Sequence, residues 1–199
     1  MNTLPERRGA LRHLPNAITI GRLLSTPVLA WLAWNRLEEP FAGLLLVALV
    51  SDLVDGWLAR RLRLESTNGA LLDSVADMAL MSVILFAIWP LHPAVYRDHG
   101  WPMAAVIALI ALGHLAALLR FGRLASFHTR LLRAGIVVFS LFAVVLFLFG
   151  FQAWLLYAAI AVCAAGALEQ LALVLLLPEW SPNFRGGLAE ALRRRRRQP

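Results

Sequence analysis

Six stretches of this 199-residue chain stay apolar for about the 20 residues a helix needs to cross a bilayer. They fall at residues 17–34, 41–62, 69–90, 102–120, 131–150 and 151–177. In lipid, backbone N–H and C=O groups must be satisfied within the chain, so segments of this kind are expected to be helical. The fold this predicts is all-α: a polytopic membrane protein with six transmembrane helices and a short N-terminal juxtamembrane segment. Residues 1–16 are read as that cytoplasmic segment, 17–177 as one six-helix membrane domain, and 178–199 as a basic cytoplasmic tail. Pro40, Pro90, Pro93 and Pro102 are expected to punctuate the connectors. The opening residues lack the small-residue cleavage site of a signal peptide, and none is expected.

Composition narrows the partners. The chain is 60% hydrophobic and 16% charged, too apolar for a soluble globule. Its net charge of +7 comes from 19 basic residues, all of them Arg, gathered at the ends of apolar segments. No aromatic-interleaved basic region accompanies them. Membrane lipids with anionic headgroups and phosphate-bearing substrates are therefore expected as partners, and nucleic acid is not. The single cysteine, Cys163, sits in an apolar run and supports neither a disulfide framework nor a thiolate metal site.

The arginines also give an orientation. Arg7, Arg8 and Arg12 precede the first span; Arg60, Arg61 and Arg63 follow the second. Arg120, Arg123, Arg130 and Arg133 lie between the fourth and fifth, and Arg193 to Arg197 follow the sixth. The opposite connectors hold only Arg36 with Glu38 and Glu39, Arg97 with Asp98, and an uncharged Gly150–Phe151 junction. Both termini are expected on the cytoplasmic side of the cell membrane.

Against this background one stretch, residues 51–80, is anomalous. It holds four of the five aspartates in the chain: Asp52, Asp55, Asp73 and Asp77. An ionised carboxylate at a membrane helix centre costs roughly 2.5–3.5 kcal/mol on insertion scales, so four together call for a compensating cation. Asp52 and Asp55 are three residues apart and Asp73 and Asp77 four, so each pair shares one helix face. A polar turn from Arg61 to Asn68 separates the pairs, which makes a helical hairpin able to set them face to face. Hard oxygen ligands suit Mg²⁺ or Mn²⁺ rather than zinc.

The pattern Asp52-x2-Asp55-Gly56-x2-Ala59-Arg60-x8-Gly69-x3-Asp73-x3-Asp77 resembles the full signature of the CDP-alcohol phosphatidyltransferases, with all eight fixed positions present in 26 residues. The resemblance implies an enzyme that moves the phosphatidyl group of CDP-diacylglycerol to a small alcohol and releases CMP. It implies metal held by Asp52, Asp55, Asp73 and Asp77, with Asp77 also deprotonating the acceptor hydroxyl. Gly56 and Gly69, with Ala59 as a small residue keeping the cavity open, would let nucleotide or phosphate come close to the backbone. Arg60 offers a planar fork to a phosphate; tight helix packing for Gly56 and a topology anchor for Arg60 are the alternatives.

Upstream, Pro15-Asn16-x2-Thr19-x2-Arg22 resembles the family's entry to the first span. Asn16 and Thr19 either hydrogen-bond the cytidine, or cap the first helix and bond back to their own backbone. Arg22 would reach a phosphate. Arg120, Arg123 and Arg130, on the same predicted side, either bind an acceptor phosphate or act as positive-inside anchors. His128 lacks a triad carboxylate, and His114 and Glu169 are expected to make polar contacts between helices or line the cavity.

The expected acceptor is glycerol 3-phosphate, by resemblance to bacterial phosphatidylglycerophosphate synthases. Ser74 and Met78 stand where those enzymes carry Pro and Lys, and the Leu72-Asp73-Ser74-Val75-Ala76-Asp77 run is closer to the phosphatidylserine synthases. Serine, inositol phosphate or a phospholipid remain as other acceptors. A homodimer is implied by the family alone. A membrane ion carrier would use the carboxylates but has no need of Gly56 or Arg60; a non-catalytic scaffold would need neither.

Overall fold

The computed structural model describes residues 4–62, 67–122 and 130–176; side chains of residues 4–16, 55, 57–60, 62, 67–68, 70–71 and 130 lie outside that description. Six helices account for nearly all of it: α1 (Leu4–Trp34), α2 (Glu38–Leu62), α3 (Thr67–Leu91), α4 (Pro93–Phe121), α5 (Arg130–Phe149) and α6 (Ala153–Leu176). The all-α class is as expected. By length and composition, five helices can cross a membrane, through Ala17–Trp34, Leu72–Leu91, Pro93–Phe121, Leu131–Phe149 and Ala153–Leu176. Six spans were expected, and five candidates are found among the described residues. The helix not among them is α2, part of which, including residues 55 and 57–60, lies outside the residues described in full. Large apolar side chains such as Leu24, Val47, Met78, Leu119 and Trp154 face outward, as they do where hydrocarbon is the surrounding solvent.

Two expectations about helix boundaries change. The first helix starts at Leu4 and passes through Pro15 and Asn16, so Asn16 lies in a helix interior and does not cap it. The chain before residue 17 is polar enough to leave the bilayer yet continues the same helix. Pro90, expected in a connector, sits inside the last turn of α3, and Pro102 sits inside α4, which begins at Pro93. Proline there removes one backbone hydrogen bond, a loss that a helix of this length survives. Pro93 at the first helical position has no such penalty.

The chain forms two compact units, Met1–Tyr96 with Phe147–Phe149, and Arg97–Leu146 with Gly150–Pro199. In the first, α1 packs against both α2 and α3. Each helix buries one stripe at spacings of three or four: Thr19, Arg22 and Leu29 of α1, Phe41, Leu45 and Ala48 of α2, Ala76, Leu80 and Ile84 of α3. The next position along the α2 stripe is Asp52, and the position before Ala76 on the α3 stripe is Asp73. Helical periodicity thus carries the carboxylates onto the packed faces.

The end of this unit away from the aspartates is closed by rings and polar tips. Trp34 stacks on Phe86 at 6.3 Å and meets Trp89 at 6.2 Å. His92 Nε2 lies 2.8 Å from Glu38 Oε1, and the Tyr96 hydroxyl donates to the Leu85 carbonyl at 2.6 Å. Such amphipathic side chains belong where hydrocarbon meets water. Arg36 adopts φ 57°, and its N–H and that of Leu37 reach back to Ala33 and Leu32, which ends α1 in a left-handed turn and starts α2 within a few residues.

The second unit packs by close backbone approach. A Cβ on Gly166 would stand 3.1 Å from Leu132 Cα, and one on Gly135 would stand 3.3 Å from Cys163 Cα. Small residues at helix contacts allow the close van der Waals fit on which association in lipid depends. Gln170 is buried here, its amide nitrogen 3.3 Å from His114 Nδ1, which is itself 2.9 Å from the Ile110 carbonyl.

Candidate active site

Asp52 projects from α2, Asp73 and Asp77 from α3, and one carboxylate oxygen of each lies within 4.8 Å of the others. The two-helix convergence expected from the spacing is present for these three. The Asp55 side chain lies outside the described residues, as do those of Asn16, Ala59 and Arg60; residue 123 and the 178–199 tail lie outside altogether. Gly56 is half-buried one turn beyond Asp52, and Gly69 is half-buried one turn before Asp73. The series 52, 56 and the series 69, 73, 77 each run along a single helix face.

The three carboxylates are part-exposed, so they are reachable from outside while held from within. What holds them is Arg22. Its side chain has no solvent exposure; Nη1 contacts Asp52 Oδ1 and lies 3.3 Å from Asp77 Oδ1, and Nη2 donates to Asp73 Oδ1 at 2.6 Å. The guanidinium fork can serve several carboxylates at once because its donors are planar and fixed. The sequence marked only the face: Arg22 lies three residues from Thr19 and seven from Leu29, positions that the structure buries together on α1. Thr19 is buried one turn away.

The donor set fits a divalent cation. Three carboxylates are the ligands Mg²⁺ and Mn²⁺ prefer, and two oxygens on opposite sides of one Mg²⁺ stand about 4.2 Å apart. One oxygen of each carboxylate lies within 4.8 Å of the others; since only one pair of three ligands can stand opposite in an octahedron, binding would draw the set closer together.

An apolar groove of about 460 Å³ between α1 and α2 is lined by Ile18, Leu46, Val47, Val50, Ser51 and Val54, beside the Asp52 backbone. Arg120, a candidate acceptor ligand, donates from Nη1 to the Leu175 carbonyl at 2.8 Å and lies over the Phe121 ring. That contact places a cation at the end of α6, where free carbonyls and the helix dipole favour it.

A helical membrane unit with converging aspartates at one end defines a class, and sequence comparison assigns it. The family model for CDP-alcohol phosphatidyltransferases matches residues 12–167, and the chain belongs to that family. Among individual proteins it is 38% identical over 84 residues to a chloroplastic CDP-diacylglycerol–glycerol-3-phosphate 3-phosphatidyltransferase 1 of Oryza sativa, covering 41% of this chain and 26% of that protein. It is 36% identical over 110 residues to a rice cardiolipin synthase (CMP-forming), covering 52% and 32%. A CDP-diacylglycerol–glycerol-3-phosphate 3-phosphatidyltransferase of Pseudomonas fluorescens is 35% identical over 104 residues, covering 51% and 50%. The chain spans half or less of the length of these curated relatives. No solved structure matches it.

Proposed function

We propose that this protein transfers the phosphatidyl group of CDP-diacylglycerol to the hydroxyl of a small alcohol, glycerol 3-phosphate, releasing CMP in glycerophospholipid synthesis. The observation that carries the reading is the meeting of Asp52, Asp73 and Asp77 in a chain of this family. Asp52, Asp55, Asp73 and Asp77 hold Mg²⁺ or Mn²⁺. Bound there, the cation supplies Lewis-acid neutralisation of the diphosphate and of the departing phosphate.

The chain's own groups do the rest. Gly56, Gly69 and Ala59 leave space for phosphate against the backbone, Arg60 pairs with a phosphate, and Asn16 and Thr19 contact the cytidine. Asp77 accepts the proton of the acceptor hydroxyl as that oxygen bonds to the phosphatidyl phosphorus and the bond to CMP breaks. Arg120, Arg123 and Arg130 attract the acceptor's phosphate. One acyl chain lies in the apolar groove beside Asp52 while the headgroup enters the polar end.

In the same reading, residues 17–177 work as one membrane domain with α2 as the sixth span. The termini and site face the cytoplasm, and two copies associate as a homodimer. The names of the relatives support glycerol 3-phosphate as acceptor. The test is CMP release by the full chain from labelled CDP-diacylglycerol with Mg²⁺ and a panel of glycerol 3-phosphate, serine, inositol phosphate and phosphatidylglycerol. Release with glycerol 3-phosphate alone, abolished by a chelator and restored by Mg²⁺ or Mn²⁺, is the expected result. Another acceptor would replace glycerol 3-phosphate, and no release with any would end the enzymatic reading.

A further inference from the structure

We propose that Arg22 is a built-in counter-cation that occupies the carboxylates before the metal arrives, competes with it, and is released to the nucleotide diphosphate once it binds. This rests on the metal-dependent reading above and adds an order of events to it. The guanidinium is buried and lies within 3.3 Å of Oδ1 of Asp52, Asp73 and Asp77, the three carboxylates whose oxygens converge closely enough to share a cation. Three ionised carboxylates converging without a cation would repel one another. With Arg22 among them the ionised set keeps its shape.

A divalent ion approaching the same oxygens meets a guanidinium in its place. Two positive groups cannot share three oxygens at ligand distance without strong repulsion at low dielectric. The arginine must swing aside, and its donors are then free. The nearest group needing them is the diphosphate that the ion itself attracts, and an Arg fork matches phosphate oxygens in pairs. The geometry therefore sets a sequence of cation first and nucleotide second, with Arg22 acting as a positioning residue.

The experiment uses the full chain in nanodiscs, with Mn²⁺ alone as the first probe. A unit positive charge a few ångströms from a bound divalent cation repels it by an amount that corresponds to at least about tenfold in affinity. Arg22→Gln, which removes the competing charge, is therefore expected to bind Mn²⁺ at least about tenfold more tightly than wild type. Metal-free Arg22→Gln should melt lower than metal-free wild type, and Mn²⁺ should recover more of its stability. At saturating Mn²⁺ the same variant should bind CDP more weakly. Arg22→Lys keeps the charge without the fork and is expected near wild type for Mn²⁺ but weak for CDP; it serves if the glutamine variant does not fold.

Unchanged or weaker Mn²⁺ binding in Arg22→Gln overturns the exchange, as does Mn²⁺ binding in Arg22→Lys as tight as in a charge-free site. Wild-type protein that binds no Mn²⁺ would sink the metal-dependent reading itself. Wild type that binds Mn²⁺ and turns over while the variants bind alike sinks only the role of Arg22.

Discussion

In α1 to α3 the charged groups meet at one end, three aspartates around one buried arginine. In α4 to α6, among the described residues, the contacts are glycines against backbone and a few hydrogen bonds. These join Gln170 with His114, His99 with Tyr157 and Arg120 with the Leu175 carbonyl, with no cluster of opposite charges. Lipid penalises bare charge heavily and rewards close van der Waals fit. The second unit follows the rule and the first breaks it at one place. A departure that costs stability and recurs on two helices is where function should be sought. If that contrast is right, substitutions in the first unit should remove activity and spare the fold, and those in the second should do the reverse.

The largest effect is expected at Asp77. Asp77→Asn keeps the shape and a hydrogen-bonding oxygen but cannot take a proton. Turnover should fall by about 10²–10⁴-fold, the usual contribution of a positioned base, with helical content and melting temperature little changed. Steady-state CMP release beside circular dichroism measures both. Activity near wild type would remove Asp77 from the chemistry and blur the contrast at its sharpest point.

The second unit can be broken where it is tightest. A Cβ on Gly166 already stands 3.1 Å from Leu132 Cα, a backbone atom that cannot step aside. Gly166→Leu should cost roughly 1–3 kcal/mol or more through overpacking, seen as a lower melting temperature, while protein that remains folded keeps its turnover per molecule. Gly43→Leu is the control, since nothing lies within 4 Å of a Cβ there. Equal loss at both positions would mean that the close approach at Gly166 is not what matters, since helix propensity favours Leu over Gly at either site.

These two units were unequally legible in the sequence. The acidic site could be read because helix periodicity and spacing place 52 and 56, and 69, 73 and 77, on single faces whatever the neighbours do. The grip of Arg22 on the aspartates was not read as such: spacing within α1 marks a face but does not say which helix lies opposite. Span ends were close for α5 and α6, where Gly150 with φ 87° stops one helix and the next begins at Ala153. At α1 the expected span matches Ala17–Trp34, although the helix runs on to Leu4. The ends shift at α3 and α4, where Pro90 and Pro102 lie within helices because proline's cost of about 3 kcal/mol is small beside a long helix's packing. The glycine contacts of α5 with α6 depend on long-range geometry that no local pattern encodes.

The smallest effect tests whether the second unit owes anything to polarity. Gln170 is buried beside His114, yet an interhelical hydrogen bond in a membrane protein is worth only about 0.6 kcal/mol, since the alternative state also finds partners. Gln170→Leu removes the amide and keeps much of the volume, so resistance to denaturant should fall by about that amount or less. Gly113 presses on the same side chain, a Cβ there standing 3.1 Å from Gln170 Nε2. Gly113→Ala in the Gln170→Leu background should therefore be milder than in wild type if the contact is steric. A loss of several kcal/mol on Gln170→Leu alone would instead mark the His114–Gln170 pair as a second polar centre. The two halves of the chain would then differ in degree and no longer in kind.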